Sequence, residues 1–276
     1  MKRMVMMGFC GLLALTGVVA GAKKEAPASK GTAPGDASLE NVLTKKQLIL
    51  GLDDSFPPMG FRNEANEIVG YDVDLAREVA SRMGVELVLQ PIDWNAKEQE
   101  LNTGEIDCIW NGFTITEERK TALTFTKPYL KNAQVVVVKA DAAYTTLADL
   151  AGKTAGLQAG SSSVDALNEA AALKASLREV IEYKEYLTAL MDLEVGGVDA
   201  IIMDLVVAND NITRSGKAFR ILEETLAPEE FGIGFRKGDL ALANKVWETL
   251  EAMAKDGTLS RLTVQWFGAD ISMIGK

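Results

Sequence analysis

One pattern occurs twice in this chain. Gly104-Glu105-Ile106-Asp107-Cys108-Ile109 is echoed by Gly197-Val198-Asp199-Ala200-Ile201, and Leu50-Gly51-Leu52-Asp53 by Ala155-Gly156-Leu157-Gln158. Each copy is a short apolar run bounded by turn residues, which marks a buried strand. Polar groups follow within a few residues: Asn111 after the first copy and Asp204 after the second. Two α/β units of this kind, each with polar strand ends, imply a ligand held between them.

The stretch Gly104–Leu130 carries the most chemistry. A turn at Asn102-Thr103-Gly104 opens a strand over Ile106–Trp110, which breaks at Asn111-Gly112-Phe113-Thr114. Thr116 then reads as the N-cap of a helix with Arg119 in its first turn. The positive end of the helix dipole disfavours a cation there. An Arg kept against that preference suits a grip on a carboxylate through its planar fork. The alternative is an exposed Arg paired with Glu117 or Glu118.

Asn111-Gly112-Phe113-Thr114-Ile115-Thr116-Glu117-Glu118-Arg119-Lys120, followed by Phe125-Thr126-Lys127-Pro128-Tyr129, resembles the amino-acid-binding family of periplasmic solute-binding proteins that serve ABC importers (family 3 type). The resemblance extends over nearly all of residues 45–270. It implies an α/β, two-lobed periplasmic-binding-protein fold, with two Rossmann-like α/β lobes joined by two crossing hinge strands. Lobe 1 is then residues 45–133 plus 230–276, and lobe 2 is 134–229. The β-branched run Gln134–Lys139 and the segment Phe231–Phe235 are the crossing candidates.

Further motifs supply the rest of a candidate site. Asp53, Asp54 and Phe56, fixed by Pro57-Pro58, follow the strand Leu48–Leu52 at the edge of a crevice. Gly70-Tyr71-Asp72-Val73-Asp74 opens a helix that Asp72 can cap. Trp94 reads equally as a pocket wall or a core residue. Gly160-Ser161-Ser162-Ser163 precedes a helix over Val164–Leu173, whose N-terminal N–H groups suit an anion. A short helix spans Thr145–Leu150, and the last runs from about Ser260 to Trp266. The resemblance implies that Arg119 holds a ligand α-carboxylate, helped by N–H groups near Gly112, Ser161 and Ser162. It implies that Asp204 accepts from the α-ammonium together with Thr114. Asp53 and Asn111 are left for the ligand side chain, with Phe56 and Trp94 as apolar walls, and Gln158 is a further ligand-binding candidate.

The amino terminus reads as export machinery. Lys2 and Arg3 precede an apolar stretch, Met4–Val19, and Ala20-Gly21-Ala22 offers small residues for cleavage, so residues 1–22 form a signal peptide. The run is short for a membrane span. Val19-Ala20-Gly21 is followed by Ala22 where a lipoprotein needs Cys, which argues against a lipid anchor. Residues 23–44, rich in Ala, Lys, Pro, Gly and Ser, read as a flexible linker.

A formal net charge of −10 argues against nucleic acid or an anionic membrane as partner. The chain has no His, which removes His catalysis and His-ligated metal. Cleavage would leave only Cys108, read as a small core residue without a disulfide. No cofactor, metal or catalytic residue is expected. The expected protein is an exported monomer that captures a polar or basic L-amino acid and delivers it to an ABC permease. The alternatives are an enzyme on the same fold, of cyclohexadienyl or arogenate dehydratase type, and a ligand-sensing partner of a membrane receptor.

Overall fold

The computed structural model describes residues 35–276, all within one compact unit. The signal peptide and most of the linker lie outside the described residues. The linker's last residues are not a tether: Ser38–Lys45 is a helix that buries Val42. It packs on the helix Leu240–Lys255, and Ser38 and Asp36 accept hydrogen bonds from the backbone at Leu242 and Ala241. The ordered fold therefore starts ahead of Lys45.

Eight strands form the path of one sheet. In spatial order they are Glu179–Tyr183, Thr154–Gln158, Ala200–Asp204, Leu130–Lys139, Ala227–Arg236, Cys108–Thr114, Gln47–Leu52 and Glu86–Pro91. The two short strands Phe219–Ile221 and Leu123–Phe125 pair alongside. The repeat seen in the sequence is the repeat of the fold. Gln47–Leu52 lies parallel between Glu86–Pro91 and Cys108–Thr114, and Thr154–Gln158 lies parallel between Glu179–Tyr183 and Ala200–Asp204. Even the register agrees: Gly51 faces Ile109, and Gly156 faces Ile201. The paired aspartates also do one job twice. Asp107 accepts from the Ile49 N–H at 2.7 Å, and Asp199 from the Thr154 N–H at 2.9 Å. Each satisfies a donor one residue before the pairing of the two parallel strands starts, at Leu50↔Cys108 and Ala155↔Ala200.

Two long strands link the repeats. Leu130–Lys139 and Ala227–Arg236 pair antiparallel from Leu130↔Phe231 to Gln134↔Ala227. Beyond that zone, Val135–Val138 pairs with Ala200–Met203, and Phe231 onward pairs with Cys108–Thr114 and Leu123–Phe125. The crossing thus begins at Leu130, four residues before the run read from the sequence.

Several elements differ from their sequence reading. The strand read as Ile106–Trp110 is Cys108–Thr114 and is buried throughout, because Phe113 and Thr114 pair with Gly232 and Phe231 of the second crossing strand. The helix read over Val164–Leu173 is two helices, Ser162–Glu169 and Ala171–Ser176, separated at Ala170. Leu147–Leu150 is a 3-10 turn with a capping box at Thr146. The last helix is Thr258–Phe267. Among the described residues no helix is long and apolar enough to cross a membrane.

Candidate functional site

Arg119 is placed by a short helix, Glu117–Ala122, whose N-cap Thr116 accepts from the Arg119 N–H at 3.1 Å. Its side chain turns inward and is buried. Nη1 donates to the Thr114 carbonyl at 2.9 Å, Nη2 to the Gly160 carbonyl at 3.3 Å, and the guanidinium lies 4.6 Å from the Phe113 ring centroid. The surface pairing with Glu117 does not occur, because Glu117 pairs with Lys120 at 2.7 Å. Among the described residues no carboxylate lies within 4.0 Å of Arg119. Burial lowers its pKa, and the more distant charges of Asp165, Glu98, Glu229 and Asp204 offset that only in part. A buried cation without a counter-ion is costly, and such a cost points to an anion that arrives from outside.

Asp204 ends the strand Ala200–Asp204 and is also buried. Its Oδ1 accepts from Asn132 Nδ2 at 2.6 Å and Gln134 Nε2 at 3.1 Å. Burial, and then the nearby charge of Glu229, push its carboxyl well above the usual carboxylate range. Between Arg119 and Asp204 lie hydroxyls. Ser162 Oγ donates to Thr114 Oγ1 at 3.1 Å, and Thr114 Oγ1 donates to Glu229 Oε2 at 3.0 Å. Ser161 does not cap the following helix with its side chain; its Oγ donates to the Gln158 carbonyl at 2.7 Å.

One small cavity connects these groups. Arg119 and Asp204, Thr114 and Gly112, Ser161 and Ser162, Phe56, Trp94 and Gln158 line it. Its volume is about 10 Å³, room for roughly one water. An amino acid fits only if the walls part.

Asp53 and Asn111 stand behind this cavity. The Asp53 N–H donates to Asn111 Oδ1 at 3.1 Å, and Asp53 accepts from the Ser55 N–H at 2.9 Å and Gln158 Nε2 at 2.7 Å. Burial raises its carboxyl to about 6. Asp53 faces a second groove, of about 180 Å³, with Asp93, Trp94 and Lys184. Trp94 fills both roles read for it. It lines the cavity and packs edge-on against Phe113, ring centroids 5.7 Å apart.

Asp72 differs from its sequence reading. Gly70 is the N-cap of the helix Tyr71–Met83, and no side chain caps it. Asp72 lies within the first turn, fully buried, and its Oδ2 accepts from the Gly112 N–H at 2.7 Å and the Tyr129 hydroxyl at 2.8 Å. It fixes the backbone of the cavity wall at Gly112 and leaves the helix end alone.

Five residues near the cavity were not read from the sequence: Asn132, Gln134, Glu229, Lys97 and Tyr186. Lys97 Nζ donates to the Gly160 carbonyl at 2.8 Å, the same oxygen that Arg119 reaches. Tyr186 and Ser163 share a buried hydroxyl contact of 2.5 Å. The available signal for Asn132 and Gln134 was their alternation as polar residues on an apolar strand. Among the described residues no cluster of three or more His, Cys, Asp or Glu is arranged to hold a metal ion.

Comparison with known proteins bears on the family and the fold. The model of bacterial extracellular solute-binding proteins, family 3, matches residues 48–269. The L-cystine-binding protein TcyJ of Escherichia coli (strain K12) is 31% identical over 264 residues, covering 95% of this chain and 97% of the relative. The crystal structure of Tv2483 bound to L-arginine superposes with a TM-score of 0.84 at 36% identity, over 87% of this chain and 98% of that one. The substrate-binding protein of an ABC uptake transporter from Streptococcus pneumoniae, with bound histidine, gives 0.84 and 36%, over 87% of this chain and 100% of that one. The α/β fold is accordingly two-lobed, and the chain belongs to the bacterial extracellular solute-binding proteins of family 3.

Proposed function

We propose that this chain is an extracytoplasmic binding protein that closes on a polar or basic L-amino acid and delivers it to an ABC importer. The observation that carries this is the opposed pair of buried charges on one cavity: Arg119 without a carboxylate partner, and Asp204 without a Lys or Arg partner. A zwitterion supplies both missing charges at once. Arg119, with N–H groups at Ser161 and Ser162, takes the α-carboxylate. Asp204 and Thr114 take the α-ammonium. Asp53, held by Gln158, faces the ligand side chain, and relatives named for cystine and arginine binding fit that polar end.

The lobes in this reading are 45–133 plus 230–276 and 134–229, with the helix Ser38–Lys45 added to the first. The paired crossing strands form the hinge about which they part. The protein acts as a monomer, exported by the signal peptide at 1–22, and begins at Lys23 without a lipid. A thermal-shift screen across the common amino acids tests the function, since a ligand specific to the folded state raises the midpoint. No shift with any L-amino acid, or turnover of prephenate or arogenate by the purified protein, overturns it. Intact mass of the exported protein tests the amino terminus: a diacylglycerol adduct contradicts it.

A further inference from the structure

Glu229 stands on the second crossing strand, half-buried, where the strand is paired with Asn132. Its Oε2 accepts three hydrogen bonds, from Thr114 Oγ1, Asn132 Nδ2 and Gln134 Nε2, each 3.0 Å. The same two amide nitrogens also donate to Asp204 Oδ1. Two carboxylates on different strands are therefore bridged by shared donors. Gln134 Nε2 is further committed to Ser162 Oγ at 3.2 Å. Two amide groups hold four N–H bonds, yet these contacts ask five of them. The cluster is short of donors and of positive charge. Among the described residues neither carboxylate has a Lys or Arg within 4.0 Å.

The groups facing the pair are otherwise hydroxyls and amides: Thr114, Ser162, Asn132 and Gln134, with Arg119 across the cavity. A primary ammonium brings one positive charge and three N–H donors, which are what the cluster lacks. It also offsets the burial and, after it, the repulsion by Glu229 that raise the Asp204 carboxyl.

We propose that Glu229 is a second carboxylate of the ammonium subsite, sharing with Asp204 the positive end of the bound amino acid and setting selectivity for α-amino acids over their des-amino counterparts. This rests on the amino-acid-binding reading above and extends it to a residue on the hinge. Because Glu229 also bonds Thr114 and, on the other crossing strand, Asn132 and Gln134, it couples ammonium capture to the joint between the halves.

The test titrates wild type, Glu229→Gln and Glu230→Gln by calorimetry with L-arginine, L-histidine, L-glutamine and L-cystine, and with the des-amino acid of each. Glu230 is exposed on the same strand and serves as control. Glu229→Gln should weaken the amino acids by about 10- to 100-fold, the scale of one charge-assisted hydrogen bond, and leave the des-amino acids within about twofold. Its midpoint without added amino acid should hold or rise at pH 8, since one of two neighbouring like charges is gone. Glu230→Gln should change neither class. Unchanged amino-acid affinity in Glu229→Gln overturns the inference alone. So does an equal loss for both classes with a lowered midpoint, which would make Glu229 a structural residue of the hinge. Wild-type protein that binds none of the four amino acids overturns the functional reading and this inference with it.

Discussion

Gln158 donates its side-chain amide to Asp53 Oδ2 at 2.7 Å, and the two residues occupy matching places in the two copies of the repeat. The bond spans the strand ends of both halves. It also holds a carboxylate that burial has raised to about 6. A cationic ligand side chain needs that carboxylate ionised, so affinity for basic amino acids should fall as pH drops through about 6. Asp53→Asn should remove this dependence and shift preference from basic toward neutral polar amino acids, because only the side-chain acceptor changes. Calorimetry of both proteins between pH 5 and 8, with L-arginine and L-glutamine, reads the outcome. A variant with the same preference and pH profile as wild type would place Asp53 outside the site.

Arg119 and Asp204 meet the same cavity with opposite charge. Truncating one buried partner of a charge pair costs about 2–5 kcal/mol, because the other charge is left unpaired. Arg119→Ala or Asp204→Ala should then weaken amino-acid binding by roughly 30-fold to several thousand-fold. Removing Arg119 should also ease the ligand-free protein, since burial penalises its charge more than the distant carboxylates repay it. Stability without ligand and affinity with it should therefore move in opposite directions for Arg119→Ala. If that variant binds as tightly as wild type, the Ser161–Ser163 turn becomes the carboxylate site.

The repeat was legible because it is local. Leu50–Asp53 and Ala155–Gln158 are contiguous, and their strand registers coincide. The burial of Arg119 was legible for a different reason: a cation in a first helical turn contradicts local preference, which points to a task away from the surface. Glu229, Asn132 and Gln134 were not, because their grouping depends on which residues of two strands, almost a hundred positions apart, come opposite each other. Asp72 misled in the opposite way. An Asp after Gly-Tyr at a helix start has the composition of a cap, yet burial against Gly112 and Tyr129 is tertiary information.

Asp72 sets a pH dependence of folding. Burial raises its carboxyl to about 7, while the unfolded chain titrates near 3.9. Between about pH 4 and 7 the folded state keeps a proton that the unfolded state releases. This group's stabilising contribution is therefore full below pH 4 and is lost as pH rises to 7, with a slope of at most about 1.4 kcal/mol per unit. Asp72→Asn should remove this share of the slope and leave the shares of Asp53 and Asp204, whose carboxyls burial also raises. Urea unfolding of both proteins at intervals from pH 4 to 8 measures it, and parallel profiles would show that Asp72 is not the group responsible.

Gly112 is where strand, cavity and the buried carboxyl of Asp72 meet. It sits inside the strand Cys108–Thr114 with φ of +56°, in the left-handed region that L residues avoid at a cost of roughly 1–2 kcal/mol. A Cβ there would lie 2.9 Å from Phe56 and 3.3 Å from Phe231. Phe56 lines the cavity, and Phe231 belongs to the second crossing strand, so neither side can yield without moving the site or the hinge. Releasing the strain by turning the backbone would instead break the N–H bond to Asp72, leaving a buried carboxylate short of a donor. Gly112→Ala should thus cost about 2–4 kcal/mol in urea unfolding and weaken amino-acid binding in the folded fraction by at least about tenfold. Adding Phe56→Leu to make room should restore affinity only in part, because the φ penalty stays. Full recovery in the double variant would mean that the contact with Phe56, and not the backbone held by Asp72, is what Gly112 is there to permit.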